Sequence, residues 1–91
     1  MYAKKCRINI LHGLHARLGV LIADEVVKYR DHEKVFIRKV SGDQKSAQAG
    51  SVMDLLMLVA PNGTELEVFS EDDAAAATVD KIAVFIDGLR E

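Results

Sequence analysis

The hydrophobic period of the chain changes abruptly at Gly13. Ahead of it, Lys5 to Leu11 alternates Cys6, Ile8 and Ile10 against Arg7 and Asn9, the period-two pattern of a half-buried strand. Behind it, Leu18, Ile22, Val26 and Tyr29 recur at helical spacing. They predict a helix over about 16–30, with Asp24, Glu25, Lys28 and Arg30 mostly off its apolar stripe. His15 therefore falls where a strand ends and a helix begins. Free backbone N–H groups and the helix dipole favour an anion at such a place. A histidine there can act as a nucleophile, its ring nitrogen carrying a phosphoryl group that the helix end then holds.

Both periods recur along the rest of the chain. Lys34 to Val40 alternates, with Val35 and Ile37 facing one way and Phe36 and Arg38 the other. Ser41-Gly42-Asp43-Gln44 reads as a loop, and Lys45 to Ala49 as a weaker strand returning in a hairpin. Ser51 is placed to cap a short helix over Val52 to Ala60. That helix offers two apolar faces: Leu55, Leu58 and Val59 on one, Val52, Met53 and Leu56 on the other. Two helical turns lying on a sheet bury one face, so the second is expected to be partly exposed as a partner surface unless neighbouring elements cover both.

Pro61-Asn62-Gly63 is a turn signal, and Thr64 to Ser70 the clearest strand, with Leu66 and Val68 set against Glu65 and Glu67. Ser70, Glu71, Asp72 and Asp73 suit the first turn of a final helix reaching about Leu89, whose stripe is Ala75, Val79, Ile82, Ile86 and Leu89. The order is βαββαβα. It predicts an α+β two-layer sandwich, a four-stranded antiparallel sheet with three helices on one face, in a single domain over residues 1–91.

The bulk properties narrow the function. A net charge of −2 gives no reason to expect nucleic acid or an anionic membrane as a partner. The single cysteine, Cys6, excludes an internal disulfide and fits a reducing compartment; on the face of Ile8 and Ile10 it reads as a buried, inert thiol. Without a long apolar run, neither a signal peptide nor a membrane span is expected, and the cytoplasm is the expected location. His12 and His15 lack a third ligand nearby, so no metal is expected, and no cofactor is called for. His32, among charges, reads as a surface residue.

Gly13-Leu14-His15-Ala16-Arg17 resembles the active-site signature of the HPr family, the histidine-containing phosphocarriers of the bacterial phosphoenolpyruvate-dependent phosphotransferase system. Gly50-Ser51-Val52-Met53, followed by Leu55, Leu56 and Leu58, resembles that family's second signature segment. The βαββαβα order is similar to its open-faced sandwich.

The resemblance implies that His15 accepts a phosphoryl group on Nδ1 from enzyme I and passes it to an enzyme IIA component. The chain would then be a covalent intermediate rather than an enzyme, and a monomer. It also implies phosphate-binding roles for the Ala16 and Arg17 backbone and the Arg17 guanidinium, and a docking surface of Ala16, Val20, Leu21, Val52, Met53 and Leu56. Ser51 resembles the serine phosphorylated by HPr kinase/phosphorylase. Read from the residues alone, it is a helix cap. The Ser51–Leu58 segment looks nearest the family's nitrogen-type branch, whose members regulate. The alternative function is accordingly a binding module controlled by phosphorylation at Ser51 or His15.

Some positions depart from the family pattern. Leu18 stands where proline is usual, and Gly19 where alanine is usual; both changes are expected to loosen the helix start. His12 stands where serine or asparagine is more familiar. Asp24 and Asp54 occupy about the places of lysines in enteric members, which implies an enzyme I that is less acidic at its binding face.

Overall fold

The structure, a computed structural model, describes residues 1–42 and 45–90. Its elements run β1 (Tyr2–Arg7), α1 (Ala16–Val26), β2 (Phe36–Lys39), β3 (Ala47–Gln48), α2 (Val52–Met57), β4 (Glu65–Ser70) and α3 (Ala76–Gly88), with short 3-10 turns at His32–Lys34 and Asp73–Ala75. The strands form one antiparallel four-stranded sheet in the order β1-β4-β2-β3. The expected βαββαβα sandwich is what the chain forms.

Side-chain alternation assigns the two faces of the sheet. Cys6, Ile37, Ala47, Leu66 and Val68 point to one face. Leu18, Ile22 and Val26 from α1, Leu55 from α2, and Val79, Ile82 and Ile86 from α3 bury against it. The other face carries no helix. Phe69 lies there opposite Phe36 in register, yet it is only 6% exposed. The Phe36 ring stands 6.0 Å from it, and the Arg38 guanidinium lies 4.2 Å over its centroid, held by two bonds to Glu67 Oε1 at 2.9 and 2.7 Å. A cation stacked on an aromatic ring covers apolar area while keeping its own polar partners.

Several boundaries differ from the sequence reading. β1 begins at Tyr2 and ends at Arg7, because it pairs residue for residue with β4, from Tyr2↔Ser70 to Arg7↔Glu65. Ile8 and Ile10 are buried beyond the strand end, with the Ile8 N–H bonded to the Thr64 carbonyl. α1 stops at Val26; Lys28 and Tyr29 continue in tighter turns, their N–H groups reaching back three residues to Glu25 and Val26. β2 and β3 are shorter than the alternation suggests, and Asp43 and Gln44 of the expected loop lie outside the described residues.

α2 ends at Met57, so Val59 is not on the buried face with Leu55 and Leu58. It lies past the helix end, exposed, at φ 51°. The Pro61–Gly63 turn forms as expected, with Thr64 N–H bonded to the Pro61 carbonyl and Gly63 at φ 90°. Asp72 Oδ1 caps the approach to α3 by accepting from Ala74 N–H at 2.9 Å.

Candidate functional site

The turn before α1 is tied to the loop after α2. Gly13 N–H bonds to the Ile10 carbonyl at 2.9 Å, and Leu14 N–H to the Ala60 carbonyl at 2.8 Å. Gly13 sits at φ 71°, and a Cβ there would lie 2.7 Å from both the Ala60 oxygen and the Pro61 Cα. Glycine is needed on both counts, the left-handed backbone and the close approach. The next residue but one, His15, is thereby delivered to the mouth of α1.

His15 is the N-cap of α1, extended at φ −118° and ψ 179°, with a half-buried side chain that makes no capping hydrogen bond. Its carbonyl accepts the first intrahelical bond, from Gly19 N–H at 2.9 Å. The N–H groups of Ala16, Arg17 and Leu18 stand ahead of that bond, where a helix has no partners of its own to offer. The first turn of α1 contains no acidic residue, so nothing on the helix neutralises its positive end.

An acceptor carried by an N-cap side chain reaches the second and third helical N–H groups. Counted from His15, these belong to Arg17 and Leu18. The sequence signature points to the Ala16 and Arg17 groups alone; counting from the cap adds the Leu18 N–H. Its side chain has a second task, being 2% exposed in the core.

α2 lies beside α1 with Gly19 at the contact. A Cβ on Gly19 would meet Val52 Cγ1 at 3.5 Å and Leu56 Cδ2 at 3.7 Å. Ala16 and Val20 flank this seam on the α1 side and are exposed; Met53 is exposed on α2, and Val52 and Leu56 are half-buried between. These five are residues of the expected docking surface. Leu21 is also exposed, but it stands about 100° round the helix from Val20, on the side turned away from α2. Next to the seam is a depression of about 320 Å³ lined by His12, Leu14, Leu56, Val59, Ala60 and Pro61.

Residues 2–87 match the family model described as the PTS HPr component phosphorylation site. The chain belongs to the HPr family. Among similar proteins, the HPr-like protein Crh of Bacillus subtilis is 27% identical over 86 residues, covering 94% of this chain and 95% of Crh. The multiphosphoryl transfer protein of Vibrio cholerae is 31% identical over 93% of this chain, which spans only 21% of that longer protein. The phosphocarrier protein HPr from Bacillus anthracis superposes at a TM-score of 0.74 with 25% identity, covering 91% of this chain and 93% of its own. HPr-C-His from Thermoanaerobacter tengcongensis gives 0.68 with 23% identity over 98% of each chain, a likeness of fold. As an HPr-family phosphocarrier of the phosphotransferase system, the protein has the open-faced sandwich that the signatures implied.

Within this HPr fold Ser51 is the N-cap of α2, its Oγ accepting from Asp54 N–H at 3.2 Å. Asp54 Oδ2 in turn accepts from Gln48 N–H at 3.1 Å, joining the helix start to β3. His32 is half-buried rather than a surface residue, its Nδ1 3.0 Å from the Tyr29 carbonyl. Cys6 is buried, and burial pushes its thiol up to about 12, with smaller contributions from the Asp87 and Glu65 carboxylates. Among the described residues no group of three or more His, Cys, Asp or Glu side chains is arranged to hold a metal ion, and no helix is long and apolar enough to cross a membrane.

Proposed function

We propose that His15 is the phosphoryl acceptor, taking the group from enzyme I on its ring Nδ1 and passing it to an enzyme IIA domain. The observation that carries this reading is the position of His15 as the uncapped N-cap of α1 in a chain of this family. A neutral imidazole nitrogen attacks phosphorus, and the bond from phosphorus to the donor breaks as the new P–N bond forms. The phosphoryl oxygens then supply the cap that His15 lacks, accepting from the Arg17 and Leu18 N–H groups, with Ala16 N–H beside them. The exposed Arg17 side chain adds a planar, charged donor. Transfer onward reverses the same steps, which suits a site open to solvent and to two successive partners. Ala16, Val20, Val52, Met53 and Leu56 form the surface those partners meet.

The test is incubation with phosphoenolpyruvate and the cognate enzyme I. One acid-labile, alkali-stable phosphate is expected on the wild type and none on His15→Ala. An equal yield on the variant would remove His15 from the reading. The rival, a binding module switched by phosphorylation, predicts instead that His15→Ala keeps its partner while passing no phosphate. For Ser51, incubation with ATP and an HPr kinase/phosphorylase supplies the separate test. Its Oγ is already engaged with Asp54 N–H, and the Asp54 carboxylate at the same helix start opposes a further negative charge.

A further inference from the structure

Where α3 runs past the end of α1, a hollow of about 380 Å³ opens between them, lined by Tyr29, Asp80, Lys81, Val84 and Phe85. Small-molecule sites are concave and mostly apolar, with a few polar groups, and their volumes begin at about 300 Å³. Val84 forms one wall and is 67% exposed, while Tyr29 and Phe85 contribute half-buried rings. The walls are fixed from within the fold. Thr78 Oγ1 donates to the Arg30 carbonyl at 2.7 Å, fastening the first turn of α3 to the chain that leaves α1.

The charges around this hollow differ in what they have left to offer. Asp80 Oδ1 accepts from the Tyr2 hydroxyl on β1 at 2.6 Å. Glu25 accepts twice, from the Tyr29 hydroxyl at 2.7 Å and from the Lys28 ammonium at 3.2 Å. Lys81 is exposed and, among the described residues, has no carboxylate partner. Its ammonium lies 5.5 Å over the centroid of the Tyr29 ring, near the limit of about 6 Å for a cation–π contact. One loosely held cation therefore stands at an apolar hollow whose neighbouring carboxylates are engaged.

We propose that this hollow binds a small aromatic carboxylate, its ring against Tyr29, Val84 and Phe85 and its carboxylate on Lys81 Nζ. A planar ring stacks on the two aromatic side chains, and the carboxylate gives the ammonium the charged acceptor it lacks. A cationic compound would be repelled by Lys81, and a neutral one would gain nothing from it. The site is separate from the phosphoryl chemistry. α1 is about 16 Å long, with His15 at its N-terminal end and Tyr29 beyond the other. The inference therefore stands apart from the reading of His15 as the acceptor.

The test titrates 2-naphthoate, and separately its uncharged analogue 2-naphthamide, into the wild-type protein while backbone amide shifts are followed by NMR. Saturable shifts are expected at Tyr29, Lys81, Val84 and Phe85, with the amide binding about three- to fivefold more weakly. Lys81→Gln should bring the naphthoate affinity down to that of naphthamide and remove its dependence on salt. Val84→Asp sets a carboxylate in the apolar wall at an exposed position, so it should stay folded in thermal unfolding yet lose naphthoate binding. His15→Ala should bind naphthoate as the wild type does. A site that disappears in that variant belongs to the phosphoryl face and overturns the inference. So do the absence of saturable shifts, shifts confined to other elements, or equal affinities for the two compounds. A dimer that covers Val84 without any added compound, seen as concentration-dependent sedimentation, would assign the hollow to a second copy and overturn it as well.

Discussion

Leu14 donates its backbone N–H to the Ala60 carbonyl at 2.8 Å, which fastens the turn before His15 to the loop after α2. Gly13 makes that approach possible, since any Cβ there would collide with the Ala60–Pro61 backbone. Gly13→Ala therefore has two costs, a clash against backbone that cannot swing aside and an alanine at φ 71°. A loss of about 2–3 kcal/mol in unfolding free energy is expected from denaturant titration. Phosphorylation at His15 should slow as well, because the turn that sets its position must shift.

Leu18 replaces a residue type that would have fixed the backbone of the first helical turn, and the structure shows what leucine contributes there. Its side chain is in the core at 2% exposure. Leu18→Pro would lose no intrahelical bond, since the first of these starts from Gly19 N–H. It would remove most of a buried side chain and one N–H at the proposed phosphoryl site. We expect a stability loss of about 2–3 kcal/mol by thermal or chemical unfolding. Phosphohistidine hydrolysis should also be faster than in wild type, measured by loss of label.

Gly19 has the opposite character. The helix there has ordinary backbone angles, and a Cβ would meet Val52 and Leu56 side chains at 3.5 and 3.7 Å, normal contact distances. Gly19→Ala should stabilise the protein by about 0.4–1 kcal/mol, by restricting the unfolded chain and improving helix propensity. Because the added methyl packs into the seam between α1 and α2 without moving either, phosphoryl transfer should be unchanged. A fall in Tm would mean that the seam is tighter than these distances indicate.

These residues also mark what the sequence could reveal. The order of elements and the stripes of α1 and α3 were legible because each amphipathic segment meets one apolar layer; Leu18, Ile22 and Val26 are buried as their spacing requires. The limits of β1 were not. Lys4 and Lys5 carry no hydrophobic signal, and the strand's extent is decided by its partner, with Tyr2 opposite Ser70 and Arg7 opposite Glu65. The candidate site was legible at Gly13 and His15, where a change of period coincides with a short motif. The exposure of Val59 was not legible, because it follows from a positive φ beyond the helix end, and no side-chain pattern encodes a backbone angle.

The α2 cap can be separated from any regulatory use of its serine. Ser51 Oγ accepts from Asp54 N–H, so Ser51→Ala should cost about 1 kcal/mol by denaturant titration. Ser51→Asp keeps an acceptor at the cap but sets a second carboxylate beside Asp54. Its stability should lie between those of wild type and Ser51→Ala, and should rise with salt as the like charges are screened.

Cys6 gives a pH test of the core beneath the sheet. Burial raises its thiol to about 12 from an ordinary 9.0, so the folded chain resists forming the thiolate that the unfolded chain forms readily. The stability associated with the neutral thiol is fully present below pH 9, and is lost progressively as pH rises from there towards 12. By pH 10 that loss amounts to roughly 1 kcal/mol. Tyr2, Tyr29 and Lys34, also raised by their hydrogen-bond partners, contribute losses of the same sign at alkaline pH. The quantity to measure is thus the difference between wild type and Cys6→Ala, compared at pH 7.5 and pH 10. The wild type should lose more stability across that interval than the variant. Alkylation of Cys6 at pH 8 should proceed only as fast as the chain opens. Rapid labelling of the native protein, or parallel pH profiles for the two proteins, would place the thiol at the surface and contradict its position between β1 and the helices.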